Sequence, residues 1–155
     1  MDSSKSLKDI LQEFSVKHEF IHHGKSGKTT EEASNALAEP NSNIIKSILL
    51  KTEKGEYLGV IIRGDTSIDF KKLKQHSSKK FSFASPEEIK EMLGFELGGV
   101  PPFAFYLSKI SAVVDARVIQ NEYIVWAGGN EFTGLKFSPK EFAKFNYEVA
   151  DVSKS

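Results

Sequence analysis

The sequence of 155 residues contains no cysteine, and this absence excludes several kinds of chemistry at once. Without cysteine the chain has no disulfides, no thiolate nucleophile and no zinc site built from sulfur ligands. The composition is compatible with a reducing compartment, so we expect a cytoplasmic protein. The sequence also has no apolar stretch typical of a secretory leader or of a membrane span, and we expect no insertion into a bilayer.

A net charge is lacking as well. Because 21 basic and 21 acidic side chains cancel, the molecule as a whole has no electrostatic field that would attract nucleic acid. Any contact with RNA must therefore be local. One basic cluster could meet a phosphate backbone, and its members are Lys71, Lys72, Lys74, His76, Lys79 and Lys80. Runs of charge more often form a solvated helix face, which is the interpretation we favour.

The chain does contain ample apolar material. Hydrophobic residues make up 39% of the sequence and include 12 phenylalanines, which is enough to build one core in a chain of this size. No repeat, linker or change in composition suggests an internal boundary. We therefore expect residues 1–155 to form a single domain.

The spacing of hydrophobic residues predicts more strands than helices. Two adjacent antiparallel strands are expected at 44–50 and 57–62, joined by a hairpin loop at 53–56. Further extended segments are predicted at 19–21, 81–83, 103–107, 111–114, 123–127 and 132–137. Helices are predicted at 7–14, 29–37, 67–75, 85–94 and after residue 138. The predicted fold class is α+β, with a mixed, largely antiparallel sheet that curls into a barrel-like core surrounded by helices.

Several familiar catalytic motifs are absent. Residues 22–29 end in Gly-Lys-Thr like a P-loop, but His22 occupies the place of the required first glycine, so nucleotide binding is not expected. His22 and His23 would point to opposite faces of an extended segment, which disfavours a metal site. No Gly-x-Ser-x-Gly elbow supports a serine hydrolase.

Lys46 is the most informative residue, because it interrupts an apolar strand. Alternation places its ammonium on the strand face of Ile44, Ile48 and Leu50. If that face is enclosed, the ammonium needs a carboxylate, a carbonyl, a ligand or a water-filled cleft, since an unpaired buried charge is costly. The alternative is a lysine whose stem packs against the protein while its charged head reaches solvent. The strand pattern alone favours this second interpretation.

A second unusual segment is the Gly-Gly-Val-Pro-Pro sequence at 98–102. Paired glycines allow a backbone to approach a ligand closely, whereas paired prolines remove amide donors and stiffen the chain. Such a loop is either a rigid wall of a binding pocket or an ordinary tight connection. The Gly-Gly pair at 128–129, at the end of a predicted strand, poses the same choice.

The order of these features resembles the YbaK and prolyl-tRNA-synthetase-associated (INS-like) editing domain family. The resemblance extends from Thr29 to Phe145, which makes it more specific than any single motif. It rests on Lys46 in an apolar strand, a Gly64-Asp65 turn, a helix after Ser85, the loop at 98–102, Asp115 after apolar residues, and Ala127-Gly128-Gly129.

Similarity to that family implies hydrolysis of the ester that joins a wrong amino acid to the terminal ribose of tRNA. Lys46 corresponds to the family's functional lysine, and the positions that line the same cleft in the family correspond to Gly98, Gly99, Val100, Pro101, Pro102, Asp115, Gly128 and Gly129. The implied partners are the acceptor end of a mischarged tRNA and an aminoacyl-tRNA synthetase. Neither a metal nor another cofactor is implied.

The resemblance suggests a mechanism in which water attacks the ester carbonyl. Lys46 would hold a phosphate or carbonyl oxygen, backbone amides would stabilise the developing negative charge, and the vicinal ribose hydroxyl would orient the water. Such editing is useful because a pocket discriminates against a single methylene by only roughly 1–3 kcal/mol. The double proline and Asn130 depart from some relatives, so alanine, cysteine, proline, serine and threonine esters all stay open.

Two alternatives belong to other functional classes. The first is a non-catalytic module of the same fold that binds tRNA or a synthetase, which the balanced charge favours weakly. The second is an unrelated binder of a small ligand, in which the glycine-rich loops are only structural. Binding without turnover would distinguish the first alternative from a deacylase.

Overall fold

The computed structural model of the chain describes residues 9, 11–22, 39–97, 99–126 and 133–155. Among these residues, no helix has the length and apolar character that a bilayer span requires. The predicted helix at 29–37 lies outside them, and of the predicted helix at 7–14 residues 11–13 are helical.

The described elements alternate along the chain between strands and short helices. The strands are β1 (His18–His22), β2 (Ile45–Lys51), β3 (Tyr57–Arg63), β4 (Ser67–Ile68), β5 (Ser82–Phe83), β6 (Ala112–Asp115), β7 (Ile124–Trp126), β8 (Thr133–Phe137), β9 (Glu148–Ala150) and β10 (Ser153–Lys154). The α-helices are α1 (Phe70–Ser77), α2 (Pro86–Leu93), α3 (Ala104–Leu107) and α4 (Ala116–Ile119), and 3-10 helices span Asn41–Asn43 and Pro139–Phe145.

The predicted hairpin around Lys46 is confirmed. Strands β2 and β3 pair antiparallel over their full length, with Lys46 opposite Ile62 and Lys51 opposite Tyr57. The connecting turn closes through a hydrogen bond from the Thr52 N–H to the Glu56 carbonyl, at 2.9 Å. Gly55 has a φ of 82°, a left-handed conformation that glycine adopts without steric cost.

The strands form three separate sheets. The largest is mixed, with strand order β5-β2-β3-β6-β9, in which β3, β6 and β9 run parallel to one another. The other two, β1-β8-β7 and β10-β4, are antiparallel. A mixed, largely antiparallel α+β fold is therefore confirmed. Within the described ranges none of the three sheets closes on itself, so the expected barrel-like core is not confirmed.

The segment at 103–107 was predicted as a strand, and this prediction is wrong. Residues Ala104–Leu107 form α3, which follows a turn closed by the Ala104 N–H on the Pro101 carbonyl at 3.0 Å. Phe103, Ala104 and Phe105 are consecutive buried residues, whereas a strand would alternate between its faces. Phe105 lies against Gly59 of β3, where a Cβ atom would collide with the ring.

The other helix predictions need smaller corrections. Residues 67–68 form β4, so the helix predicted to begin at Ser67 begins at Phe70, where Asp69 caps α1 by accepting from two main-chain N–H groups. Ser85 caps α2 and forms a capping box with Glu88, as the sequence predicts. The helix predicted after Ser138 is the 3-10 helix Pro139–Phe145.

Hydrophobic side chains on the two faces of the largest sheet belong to two different cores. The large core takes Ile45 and Leu49 of β2 together with Ile61 of β3 and Val114 of β6. The small core includes Leu50 of β2 and those side chains of the neighbouring strands that point to the same face. Its members are Leu50, Val60, Ile62, Ile68, Leu73, Val113 and Val152. Side chains of β2 with even numbers thus face the small core, and those with odd numbers face the large core.

Candidate active site

Lys46 lies near the start of β2 and is half-buried on the small-core face. Its ammonium donates a hydrogen bond to the Thr66 carbonyl oxygen at 2.9 Å. Within the described part of the chain this carbonyl is the one hydrogen-bond partner of the ammonium. Burial lowers the pKa of Lys46, and the nearby Asp65 carboxylate opposes that shift.

The turn that supplies the Thr66 carbonyl is held firmly. Arg63 and Asp65 form a bidentate ion pair with distances of 2.9 Å and 2.7 Å, and the Thr66 hydroxyl donates to the Arg63 carbonyl at 2.8 Å. Because Asp65 is already paired with Arg63, it does not form a salt bridge with Lys46. Among the described residues, the Lys46 ammonium therefore keeps N–H donors that a phosphate or carbonyl oxygen can accept.

Asp115 ends β6 on the small-core face and is 0% exposed. Its Oδ1 accepts from the Val152 N–H at 2.9 Å, and its Oδ2 accepts from the Ser153 hydroxyl at 2.7 Å. Oδ2 also accepts from the Arg117 N–H at 3.1 Å, which caps α4. Both oxygens are engaged within the protein, and because the residue is fully buried, direct contact with a substrate would require the surrounding chain to move.

The loop at 99–102 packs against the large core. Val100 is 6% exposed and belongs to that core. The Gly99 N–H donates to the Glu96 carbonyl at 2.9 Å, and the two prolines have no N–H. The Val100 N–H is therefore the one amide of residues 99–102 without a partner in the part of the chain that is described.

Tyr147 fixes the far end of this loop. Its hydroxyl donates to the Pro102 carbonyl at 2.9 Å and accepts from the Tyr106 N–H at 3.1 Å. Burial raises the pKa of the Tyr147 hydroxyl, so the proton that makes the first bond is retained across the physiological range. The aromatic ring packs against the large core. Nothing in the sequence pattern distinguishes this tyrosine from other core aromatics.

The Lys46 side chain and the loop at 99–102 start from opposite faces of the same sheet. Lys46 shares its face with Ile48 and Leu50, whereas Val100 lies in the core of Ile45 and Leu49. The described residues do not bring the ammonium and the loop into contact. Lys46 and the next residue, Ser47, project to opposite faces of β2, because side chains alternate along a strand.

Ser47 is a further polar residue of β2 that the sequence did not single out. It follows Lys46 in β2 and faces the large core between Ile45 and Leu49. Its hydroxyl oxygen is buried and has no hydrogen-bond partner among the described residues. A serine directly after Lys46, in a strand that is otherwise mostly apolar, is the sequence signal that could have identified it.

Three of the predicted site residues, Gly98, Gly128 and Gly129, lie outside the described residues. The described element that precedes Gly128 and Gly129 in the sequence is β7. Val125 of β7 forms a parallel bridge with Ile44, immediately before β2, and this bridge joins two of the sheets. Trp126, the last described residue of β7, is 3% exposed and belongs to the large core.

The basic cluster around α1 is partly neutralised. Lys72 pairs with Asp151 at 2.9 Å, Lys79 with Glu56 at 2.7 Å, and the His76 ring lies 2.8 Å from Glu148. These acidic partners reduce the positive field of the cluster, which favours a solvated helix face over an RNA-binding surface.

Two further features bear on the chemistry that is available. Across residues 9, 11–22, 39–97, 99–126 and 133–155, no three histidine, aspartate or glutamate side chains gather where they could hold a metal ion. An open groove of about 610 Å³ lies between Tyr106, Lys109 and Tyr147, and none of the described candidate residues lines it.

Comparison with known proteins connects this geometry to a family. The model of the aminoacyl-tRNA editing domain matches residues 24–145. The uncharacterized protein YwhH of Bacillus subtilis is 26% identical over 94% of this chain and 92% of its own length. A proline–tRNA ligase of Thermotoga is 39% identical over 54% of this chain but only 15% of its own length. A crystallised hypothetical protein with 28% identity superposes with a TM-score of 0.87, over 96% of this chain and 99% of its own.

Proposed function

The chain belongs to the aminoacyl-tRNA editing domain family, and we propose that it is a trans-acting deacylase that hydrolyses the ester of mischarged tRNA. The observation that carries the proposal is the half-buried Lys46 ammonium, which one main-chain carbonyl holds and which forms no salt bridge with a carboxylate of the described residues. An ammonium in that setting attracts an anionic or carbonyl oxygen of a ligand more strongly than an exposed lysine does.

In the proposed reaction, Lys46 binds an oxygen of the terminal nucleotide or of the ester and helps to stabilise its negative charge. A water oxygen attacks the ester carbonyl carbon, the bond from that carbon to the ribose oxygen breaks, and a proton passes to the ribose oxygen. The products are the free amino acid and tRNA with an intact terminal ribose. Because Thr66 anchors the ammonium, the charge is positioned before the substrate arrives.

The proton route is proposed to use the substrate. No histidine among the described candidate residues is placed as a base, and the vicinal ribose hydroxyl can orient the attacking water. A tRNA that ends in 2′-deoxyadenosine should therefore be cleaved much more slowly. Full activity on that substrate would contradict the route while leaving the role of Lys46 intact.

The loop at 98–102 is proposed to shape the compartment for the amino acid. The Val100 N–H has no hydrogen-bond partner among the described residues, and Tyr147 holds the Pro102 carbonyl in place. Gly98, Gly128 and Gly129 are proposed to line the same cleft. Asp115 is proposed to contribute indirectly, because its oxygens already hold β10 and α4 beside the site.

The proposed partners are the acceptor end of a mischarged tRNA and a synthetase that supplies affinity for RNA, in the cytoplasm. The tRNA for proline is the first to test, because the chain matches a segment of proline–tRNA ligases. Residues 1–155 are proposed to form one editing unit that acts in trans. Small amino acids such as alanine, cysteine, proline, serine and threonine are the candidate groups to be removed.

The test is deacylation of a panel of mischarged tRNAs by the native protein and by Lys46→Ala. We expect release from one or two substrates and a loss of about 100-fold or more in kcat/KM for the variant, as for other preorganised groups that stabilise transition-state charge. Lys51→Ala is the matched control, because Lys51 lies on the same strand but pairs with Glu88 at 2.6 Å.

Each outcome of the panel has a clear meaning. Activity that survives in Lys46→Ala would remove Lys46 from the mechanism. No release from any substrate, together with retained binding of tRNA, would support the alternative of a non-catalytic module. The balanced net charge is the observation that favours this alternative, since a partner would then supply the affinity for RNA.

A further inference from the structure

Phe83 is an aromatic side chain that the fold leaves largely in solvent. It lies in β5, an edge strand of the largest sheet, and is 59% exposed. No other phenylalanine whose side chain the structure describes is exposed. Burial of a phenylalanine contributes strongly to stability, and Phe83 forgoes most of that contribution.

The Phe83 ring is nevertheless held in place. Its backbone pairs with Leu50 of β2, and the next residue, Ala84, donates its N–H to the Leu49 carbonyl at 3.0 Å. The ring lies edge-to-face against Phe70 of α1, with centroids 5.3 Å apart and an interplanar angle of 86°. An exposed ring that is already positioned loses little freedom when a flat partner packs on it.

Phe83 shares a face of the sheet with Lys46. Residues directly opposite in neighbouring strands point to the same side, so Phe83 faces the side of Leu50, which belongs to the small core. Lys46 lies on this side too, about 13 Å from Leu50 along β2. The residue between them on this face, Ile48, is half-buried. An extended ligand that is bound at Lys46 can therefore pass Ile48 and reach Phe83.

Three members of the basic cluster keep an unpaired charge near this ring. The side chains of Lys71, Lys74 and Lys80 are exposed and form no ion pair with any described residue. Lys74 follows Phe70 by one helical turn, which places the two side chains next to each other on α1. Asp69 is the acidic neighbour of Phe70 in the chain, and its carboxylate is engaged in capping α1.

Exposed aromatic rings combined with positive charge are typical of proteins that bind unpaired nucleotides. The bases of such nucleotides stack on the ring, and their phosphates are attracted to the charge. Lysines alone would leave this helix face solvated, because half of the cluster is neutralised. The ring supplies a second attraction that does not depend on charge.

We propose that Phe83 is a stacking platform for an unpaired base near the 3′ end of tRNA, and that Lys74 beside it meets the phosphate backbone. This inference rests on the proposed deacylase function, which supplies the ligand, since the ester lies at the end of a single strand. Lys46 meets the terminal nucleotide or its ester, and Phe83 stacks on a base that precedes it. Every base has a flat face, so such a platform accepts any sequence.

The test measures binding of uncharged tRNA to the native protein, Phe83→Leu and Phe83→Tyr by fluorescence anisotropy. Leucine keeps an apolar side chain but has no aromatic face, so we expect the affinity to fall about tenfold. Tyrosine keeps the face and should bind like the native protein. Val149→Ala is the control, because Val149 is 53% exposed on β9, the opposite edge strand of the same sheet. A tRNA without its unpaired 3′ nucleotides should bind the native protein and Phe83→Leu equally.

The dependence on salt separates the ring from the charge. Each phosphate contact on a single strand contributes about 0.7 to the slope of log affinity against log salt concentration. Lys74→Ala should therefore reduce the slope by about that amount, whereas Phe83→Leu should lower the affinity and leave the slope unchanged. An unchanged slope in Lys74→Ala would overturn the role of Lys74.

Three results would overturn the role of Phe83. The first is equal affinity of the native protein and Phe83→Leu for intact tRNA. The second is an equal loss of affinity in Phe83→Tyr, because the flat face is then not what binds. The third is unchanged binding of tRNA together with weaker binding of a proline–tRNA ligase, because the surface would then dock a protein.

The same measurements distinguish this proposal from the deacylase itself. If no ester is cleaved but Phe83→Leu binds tRNA less tightly than the native protein does, the deacylase fails and the stacking platform stands. If esters are cleaved and Phe83→Leu binds tRNA like the native protein, the platform fails and the deacylase stands. If the native protein neither binds tRNA nor cleaves any ester, both proposals fail.

Discussion

The two faces of the largest sheet are stabilised in different ways. On one face the large core gathers 21 buried residues of the described chain, with clustered phenylalanines such as Phe103, Phe137 and Phe145. On the other face the small core has seven, and Lys46 and Asp115 stand beside them with polar partners. A small apolar area contributes less stability, and here hydrogen bonds to charged groups supplement it.

The contrast is sharpest at two consecutive residues of β2. Lys46, on the small-core face, has its ammonium bonded to the Thr66 carbonyl. Ser47, on the large-core face, has a buried hydroxyl with no partner in the described part of the chain. Polar groups on the first face hold the structure together, whereas the hydroxyl on the second face is buried without a described partner.

Asp115→Ala should destabilise the small-core face. Among the variants discussed, we expect it to have the largest effect on stability. Removing the carboxylate leaves the buried Val152 N–H and Ser153 hydroxyl without acceptors, and each unpaired group costs roughly 1–3 kcal/mol. We expect the free energy of unfolding to fall by about 2–4 kcal/mol in urea denaturation. A loss below about 1 kcal/mol would show that these bonds do not hold the face together.

The same variant also separates the two roles considered for Asp115. If the carboxylate acts through the fold, the deacylation rate per folded molecule should change little at a temperature where the variant is folded. An increase in KM without loss of stability would instead place Asp115 in contact with the substrate. Asp69→Ala is a suitable comparison, because its carboxylate also caps a helix but is less buried than that of Asp115.

Much of the fold follows from local patterns in the sequence. The branched apolar runs around β2 and β3 and the capping box at Ser85 predict the correct elements, because strand alternation and helix capping act over a few residues. The segment at 103–107 fails for a tertiary reason. Its aromatic residues fit either a strand or a helix, and the packing of Phe105 against Gly59 accompanies the helix.

For the candidate site, the sequence predicts single residues but not how they are arranged in space. The interruption of an apolar strand identifies Lys46, but its bond to Thr66 depends on a turn 20 residues away in sequence. The sequence shows only that Asp115 follows an apolar run, whereas in the structure residues near the C-terminus bury it. Tyr147 acts on Pro102 across 45 residues, and no local pattern encodes such a contact.

Tyr147→Phe tests the contribution of a single hydroxyl on the large-core face. The ring stays in place and only the hydroxyl is lost, so the apolar packing should hold and the free energy of unfolding should fall by only about 1 kcal/mol. The Pro102 carbonyl loses its hydrogen-bond donor, so the loop is held less firmly. We therefore expect a clear loss of deacylation activity in a protein that is only slightly destabilised. Tyr57→Phe is the control, because it removes a hydroxyl that donates to Glu88 at 2.9 Å. Equal losses of activity in both variants would contradict a specific role for the loop.

The smallest effect is expected at the far end of β2, where Glu88 links three elements. It accepts from Lys51 of β2 at 2.6 Å and from Tyr57 of β3 at 2.9 Å, and it caps α2 through the Ser85 N–H at 3.0 Å. The hydrogen bond with Lys51, followed by those from Ser85 and Tyr57, lowers the pKa of Glu88 to about 2, from an ordinary value of 4.5.

Because the folded pKa of Glu88 lies below the unfolded one, protonation favours the unfolded chain. The contribution of Glu88 to stability is therefore fully present above pH 4.5 and is lost as the pH falls through about 2. Urea midpoints of the native protein and of Glu88→Gln should converge over that interval. Since other carboxylates titrate there as well, the difference between the two proteins isolates Glu88. A constant difference would show that the charge of Glu88 does not stabilise this end of the sheet. Polar interactions would then stabilise only the end of the sheet near Lys46.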